Sequence, residues 1–450
     1  MRRSFVGIAL LSGAFGALVA CAATGAQDSN GEPSVDPGDA GATVLGDAQA
    51  APVDATDEGF GQPQVCSPAG WCTTELPSNA LEVRDVWPVG DRAFAFAYDA
   101  DLLRTGVLEW DAIGGWKSIE FDLGVSVYDL PMNVWAPDEN EVFIAVASLS
   151  GAFSGGGSLG GTVYHGTRPV PPETNWSWTS TPIDCEGFSL LQWRAAEPFV
   201  SGTGRDEVYT AVCGNVYRLN RNAPVGDAGL DGGPASLGDR WELDYSVEGG
   251  MFGGFTGVTA TNTGDIWFAG LRSASYDTNE CVLLIRKSSD GYTTLIDGVP
   301  SPGASCVAKP GVAVLDGHFG DVHAAAKDVV VAALQHGYLP TRHDDELLRL
   351  TLVDGDVQVA RASTSGTFAG QLSSVWGASE DDLWVIGGRG SDVGGLVLRA
   401  TSVWDGGAFA FSTLAINGSP NTQELFRIRG TSNQNIWAVG KNSAYFKSTP

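Results

Sequence analysis

The sequence predicts an all-β protein: a seven-bladed β-propeller of four-stranded blades, the last completed by an N-terminal strand. Three observations predict it. A Val-Trp motif recurs about every 57 residues over most of the 450-residue chain. Each repeat divides into short alternating segments separated by Gly, Asp, Asn and Ser turns, which is the pattern of strands, not helices. The composition agrees, with 60 Gly and 14 Trp against 3 Met. Gly supplies turns and Trp fills flat, repetitive cores.

The motif is clearest late in the chain. Val375-Trp376-Gly377, followed by Asp382-Leu383-Trp384-Val385-Ile386-Gly387, matches Ile428-Arg429-Gly430, followed by Asn435-Ile436-Trp437-Ala438-Val439-Gly440. The frame recurs at Val258-Thr259 with Asp265-Ile266-Trp267-Phe268-Ala269-Gly270. Looser copies start at Val86-Trp87, Val134-Trp135, Gln192-Trp193 and Val322-His323. The aligned positions are 87, 135, 193, 259, 323, 376 and 429. Strand a carries the Val-Trp pair and strand b the Ile-Trp-Ala-Val-Gly type. Strand c alternates, as in Asn215-Val216-Tyr217-Arg218-Leu219. Strand d opens with an aromatic: Trp116, Trp178, Trp241, Tyr292 or Phe409. A four-strand unit of this length is a propeller blade. The seventh unit stops after strand c, at Tyr445-Phe446-Lys447. Gly70-Trp71-Cys72-Thr73 resembles Gly115-Trp116-Lys117-Ser118 and would supply the missing strand d. Closure of this kind removes the edges an open array would expose. The Trp and Val positions are expected to pack blade against blade.

The first segments are not part of this array. Residues 1–20 read as an export signal, with Arg2 and Arg3 ahead of an apolar run too short for a comfortable membrane span. The run ends Leu18-Val19-Ala20-Cys21, which resembles the lipobox of bacterial lipoproteins. The resemblance implies cleavage before Cys21 and lipidation of Cys21, and Ala22 after it implies the outer membrane. No later stretch is apolar enough for a membrane helix, so the lipid would be the only membrane contact. Residues 21–64 are expected to form the lipidated Cys and a disordered tether, with no Lys or Arg and eight acids from residue 22 onward. Residues 65–450 are expected to form the propeller.

Six further cysteines remain: Cys66, Cys72, Cys185, Cys213, Cys281 and Cys306. Six allow fifteen connectivities. Their order suggests three local pairs, 66–72, 185–213 and 281–306, which an oxidising compartment would make structural disulfides. Zinc is the rival reading, although no CxxC occurs.

The repeats resemble the Val-Trp-Gly…Asp-Val-Trp-Ala-Val-Gly propeller repeats of exported lipoproteins from soil bacteria, myxobacteria especially. The resemblance covers residues 66–450. It implies architecture and a cell-envelope location, and carries no common reaction. The pattern departs at Thr259, His323 and Arg429, where Trp is replaced.

Charge excludes one class of partner. With 53 acids against 26 bases and a net charge of −27, the chain lacks the basic surface that displaces phosphate counterions, so no nucleic acid is expected. The GxGxxG spacing at 155–160 precedes the β-type Thr162-Val163-Tyr164, not a helix, and reads as a loop. Ser288-Ser289-Asp290-Gly291-Tyr292 weakly resembles the Asp-box turn of sialidase propellers, which stabilises a turn. His318, His323, His336 and His343 fall in blade five beside Asp344-Asp345-Glu346. Their spacing matches no compact zinc motif, and the carboxylates would suit Ca²⁺. No other cofactor is indicated, and no G-x-S-x-G or other catalytic motif is present.

In a four-strand meander the b–c and d–a connections emerge on one face of the disc. Blades two, four, five and six carry long b–c loops, roughly 148–161, 271–280, 334–346 and 387–394. Long loops on a rigid scaffold are where binding residues concentrate. This face would display Phe153, Tyr276, Asp277, Glu280, His336, Tyr338, Arg342, His343, Asp344, Asp345, Arg389 and Asp392. Aromatics mixed with acids suit a sugar, a peptide or a cationic ligand. The expected function is a lipid-anchored binding module for a glycan, peptide or protein partner. The alternative is a lyase or glycosidase acting on polysaccharide.

Overall fold

The computed structural model describes residues 65–449 except 100, 121–129, 149–159, 186–196, 226–235, 249–251, 262, 274–279, 302–303, 337–344, 365–370, 389–394, 417–418, 420 and 422. The expected signal, lipidated Cys21 and tether lie outside the described residues. Seven antiparallel four-stranded sheets make up the fold. Blade 1 comprises Leu81–Val89, Arg92–Asp99, Arg104–Asp111 and Gly115–Glu120 as strands a to d. Blade 2 is Leu130–Asp138, Glu141–Ser148, Gly160–Thr167 and Ser177–Asp184. Blade 3 is Phe199–Gly204, Glu207–Val212, Asn215–Val225 and Ser236–Ser246. Blade 4 is Phe252–Ala260, Ile266–Arg272, Cys281–Ser288 and Gly291–Ile296. Blade 5 is His318–Ala326, Val329–Gln335, Glu346–Val353 and Asp356–Ser363. Blade 6 is Gln371–Ser379, Asp382–Gly388, Leu396–Thr401 and Phe409–Ser412. Blade 7 is Leu425–Ser432, Asn435–Gly440 and Ser443–Lys447, and the N-terminal Trp71–Thr73 pairs antiparallel with its strand c, Trp71 opposite Lys447. Each strand a touches the next and the seventh touches the first, so the blades form a ring.

The strand b segments are buried on both faces, as in the wholly buried Ile266–Arg272. That is why they read as near-continuous apolar runs. The core lies between blades. Trp110 and Trp116 of blade 1 pack edge-on against Trp437 of blade 7, at 4.9 and 5.2 Å between ring centres. Trp71 meets Trp384 of blade 6 at 5.7 Å.

Polar side chains stitch the inner ring. Strand a bulges between Val83 and Asp85, Pro131 and Asn133, Phe319 and Asp321, and Leu372 and Ser374. A bulge re-aims a side chain, and here it aims one at the next blade. Asp85 accepts the Val134 N–H at 3.1 Å, and Asn133 accepts that of Val200 at 2.9 Å. Asp321 accepts that of Val375 at 3.1 Å, and Ser374 that of Ile428 at 3.1 Å. Strand a N–H groups that face a neighbouring blade would otherwise be buried without a partner.

The three departures from Trp follow the same logic. Thr259 accepts the Ala324 N–H at 3.0 Å, His323 donates to the Gly377 carbonyl at 2.9 Å, and Arg429 pairs with Asp321 at 2.7 Å. Each makes a polar bond to another blade, and His323 also keeps a ring contact with Trp376 at 5.9 Å.

One alignment needs correction. Strand a of blade 3 starts at Phe199, so the anchor at Trp193 falls before it and outside the described residues. Val200-Ser201 occupies the equivalent place, with Ser201 opposite Tyr209 as Trp135 stands opposite Phe143. Gly202 matches the glycine of the motif: a Cβ on it would lie 3.0 Å from the Trp135 ring, as one on Gly430 would lie 2.8 Å from the Trp376 ring. The sequence pattern also did not show the hairpin Gly298–Ser301/Ala304–Ala308, inserted between blades 4 and 5.

The three local cysteine pairs are disulfides: Cys66–Cys72, Cys185–Cys213 and Cys281–Cys306. Among the described residues no helix is long and apolar enough to cross a membrane.

Candidate functional site

The two faces of the disc differ. On one, six a–b turns are tight, residues 90–91, 139–140, 205–206, 327–328, 380–381 and 433–434, and that of blade 4 spans 261–265. The c–d connections on that face lengthen only at 168–176, 226–235 and 402–408. At the other face lie the strand ends that bound the b–c segments 149–159, 273–280, 336–345 and 389–395 and the d–a segments 121–129, 185–198, 297–317, 364–370 and 413–424. The loop-rich face is therefore the one the sequence selected. Of its expected binding residues, Phe153, Tyr276, Asp277, Tyr338, Arg342, His343, Asp344, Arg389 and Asp392 lie outside the described residues.

The three that are described, Glu280, His336 and Asp345, stand where blades 4, 5 and 6 meet. Glu280 ends the blade-4 loop, next to the Cys281–Cys306 bridge. Its Oε2 lies 2.6 Å from Nδ1 of His318. Nε2 of His318 faces Oε1 of Gln335 at 3.0 Å, and Gln335 donates to the Leu372 carbonyl at 2.5 Å. Asp345 is only 3% exposed and accepts the Leu372 N–H at 2.8 Å. Burial raises its carboxyl above the usual range, against the pull of that N–H and of His336 and His318. His336 lies 3.7 Å from Glu346, which also pairs with Arg361 at 2.5 Å. Asp345 is thus not an open ligand group. It holds blade 5 to blade 6, and with His318 and Gln335 it anchors the roots of two loops. Sequence reasoning noted the histidines of blade five but missed this bridge, because His318 and Gln335 belong to strand positions of no distinctive spacing.

A second ionisable cluster lies on the inner strands. Arg429 makes a two-pronged pair with Asp321 at 2.7 and 3.1 Å, and its Nε lies 3.9 Å from Asp85. Burial would raise the Asp321 carboxyl, but Arg429, Arg427 and Ser374 outweigh it and hold it at about 2. For Asp85 burial prevails over the same two arginines and the carboxyl is raised. Burial lowers His323 to about 4, so it is neutral and its Nε2–H donates to Gly377. Each carboxylate is committed to main-chain N–H groups, so the cluster is built to lock blades together.

A third feature repeats on the a–b face. An acid heads strand b, and an arginine or histidine stands opposite the strand b aromatic on strand c. Asp265 pairs with Arg286 at 2.7 Å, Asp382 with Arg399 at 2.9 Å, and Glu141 with His165 at 3.2 Å. The cation covers the aromatic: Arg286 sits 5.4 Å from the Trp267 ring centre and Arg399 5.2 Å from that of Trp384. His165 stacks on Phe143 at 4.4 Å. Glu141 is held at about 2; burial opposes this, and His165, Arg205 and Arg221 override it. The Asp-x-Trp…Arg pattern was present in the sequence at 265, 267 and 286, but the spacing varies with loop length and hides it.

Among the described residues no three His, Cys, Asp or Glu side chains gather in a geometry that could hold a metal ion. Of the blade-five acids expected to suit Ca²⁺, Asp344 lies outside them, whereas Asp345 accepts the Leu372 N–H and Glu346 pairs with Arg361.

No known family profile matches the chain, and no curated protein matches it. Solved structures do. YCF48 from Cyanidioschyzon merolae superposes with a TM-score of 0.50 at 12% identity, over 85% of this chain and 99% of that one. The polysaccharide lyase PL25 ulvan lyase gives 0.44 at 10% identity, over 86% and 96%. The GH93 α-L-arabinofuranosidase of Fusarium graminearum gives 0.38 at 11%, over 72% and 92%. At such identities the likeness is one of fold: the chain is a seven-bladed β-propeller.

Proposed function

We propose that the protein is a lipid-anchored binding module of the cell envelope, presenting its loop-rich face to a glycan, peptide or protein partner. The observation that carries this reading is the inequality of the two faces. On one side six a–b turns are two residues long and three c–d connections lengthen, at 168–176, 226–235 and 402–408, whereas four b–c segments, 149–159, 273–280, 336–345 and 389–395, and five d–a segments lengthen the other. Drift in loop length would not favour one side of the disc. Export is supported by three disulfides. Anchoring rests on Leu18-Val19-Ala20-Cys21, and Ala22 supports the outer membrane.

A polysaccharide-acting enzyme is the second reading. Asp85 and Asp321, both beside Arg429, are the acids it would use. Both are occupied by the adjoining blade, which favours binding over catalysis. Screening the protein against glycan and peptide arrays, with and without Ca²⁺, tests the proposal. Saturable binding without product release supports it. Chain cleavage of a bound polysaccharide would shift the assignment to the enzyme.

A further inference from the structure

We propose that the seam between blades 7 and 1, on the a–b face, is a binding groove for a guanidinium group carried by a peptide. This is a separate site from the loop-rich face and does not depend on it.

The molecule's own repeat states the chemistry. At other seams a strand c arginine reaches the second residue of the next blade's a–b turn. Arg286 of blade 4 pairs with Asp328 of blade 5 at 2.6 Å, and Arg349 of blade 5 lies 3.6 Å from Asp381 of blade 6. In blade 4 the same arginine covers the strand b Trp267, its partner across the strands. At the last seam the corresponding acid is Asp91 and the corresponding aromatic is Trp437. Opposite Trp437 stands Phe446, not arginine. The arginine that blades 3 to 6 place there, Arg218, Arg286, Arg349 and Arg399, is missing. Asp91 is exposed, and among the described residues no side chain pairs with it.

The place is a cavity of about 780 Å³. Phe446 and Trp110 form its apolar side, and Ile113, 87% exposed, stands on its rim. Asp91, Asp111 and Glu139 supply its charge. The one cation in the lining, Arg92, is already held by Glu109 and by Glu139 at 3.3 Å. No c–d turn crosses the seam, because strands c and d of blade 7 come from distant parts of the sequence. An arginine side chain would lay its alkyl stem along Phe446 and Ile113 and bring its guanidinium to Asp91. Elsewhere the fold makes this arrangement from its own residues. A cation beside an aromatic and a carboxylate is attracted by both.

The test uses the full-length protein and two tripeptides, acetyl-Gly-Arg-Gly-amide and its isosteric, uncharged citrulline counterpart, titrated by calorimetry and saturation-transfer NMR. The expected result is saturable binding of the arginine peptide and none of the citrulline peptide. D91N should weaken binding at least about tenfold at an unchanged melting temperature, since Asp91 is exposed. F446R restores the repeat's own arginine and should abolish binding by occupying the groove. If F446R fails to fold, D91N alone decides. Equal binding of the two peptides, wild-type affinity in D91N, or no saturation by about 10 mM peptide would overturn the proposal.

Discussion

Trp71→Ala tests how much the N-terminal strand contributes to the ring. Trp71 is fully buried, lies edge-on to Trp384 at 5.7 Å, and donates its indole N–H to Ser412 of blade 6 at 2.9 Å. One side chain therefore joins the N-terminal strand of blade 7 to blade 6. Truncating a buried Trp costs about 3–5 kcal/mol, from lost burial plus the cavity left behind. Unfolding entropy near 2.1 cal/mol/K per residue, over about 380 residues, gives roughly 0.8 kcal/mol/K, so the melting temperature should fall by about 5 °C. Trp71→Phe keeps a ring but loses the N–H, and should cost about 1 kcal/mol, or little more than 1 °C. Differential scanning calorimetry of the two variants reads this directly. Removing residues 22–60, which carry few large apolar side chains, is the control and should leave the transition unchanged. If Trp71→Ala melts with the wild type, the strand does not close the ring.

Three further outcomes follow from the geometry. Cys21→Ser should move the protein out of the membrane fraction or leave it unprocessed, as fractionation and intact mass will show; normal processing with retention at the membrane would refute the anchor. Asp321→Asn leaves Arg429 buried without its charge partner and should cost about 3–5 kcal/mol near neutral pH by denaturant titration. The wild-type Asp321 is held at about 2, below the unfolded value of about 3.9. Its contribution is therefore complete above the unfolded value and is lost as pH falls through about 2, so the two proteins should converge in acid; a gap independent of pH would contradict the pairing. Asp345→Ala removes the acceptor of the buried Leu372 N–H and should cost about 1–3 kcal/mol, whereas a surface loop residue would cost within about 0.5 kcal/mol.

The fold was legible because the strand b segments, such as Ile266–Arg272, are buried on both faces and keep their apolar run through every blade. Blade 3 hid its anchor because Ser201 stands where blades 1, 2 and 6 place Trp. The bulge residues Asp85, Asn133, Asp321 and Ser374 looked like ordinary polar positions, since their partners lie a blade away in sequence. The same distance concealed Asp91, whose significance depends on Phe446 standing where blades 3 to 6 place arginine. On the loop-rich face the residue types were readable, but their roles were not. Asp345 sits in an acidic run that suggests an exposed loop, and only the Leu372 N–H shows that it belongs to a blade junction.

The central claim is that the loop-rich face binds and the rest of the disc holds it. One variant addresses it: residues 149–159, 273–280, 336–345 and 389–395 are each replaced by a short Gly-containing turn, with Glu280 and Asp345 retained. Binding of this variant and of the wild type is then compared on the same glycan and peptide arrays, with calorimetry as the fold control. The account predicts that the variant melts within a few degrees of the wild type, about the scatter of surface changes, and loses the array signal. A shortened variant that keeps the wild-type binding profile would contradict it.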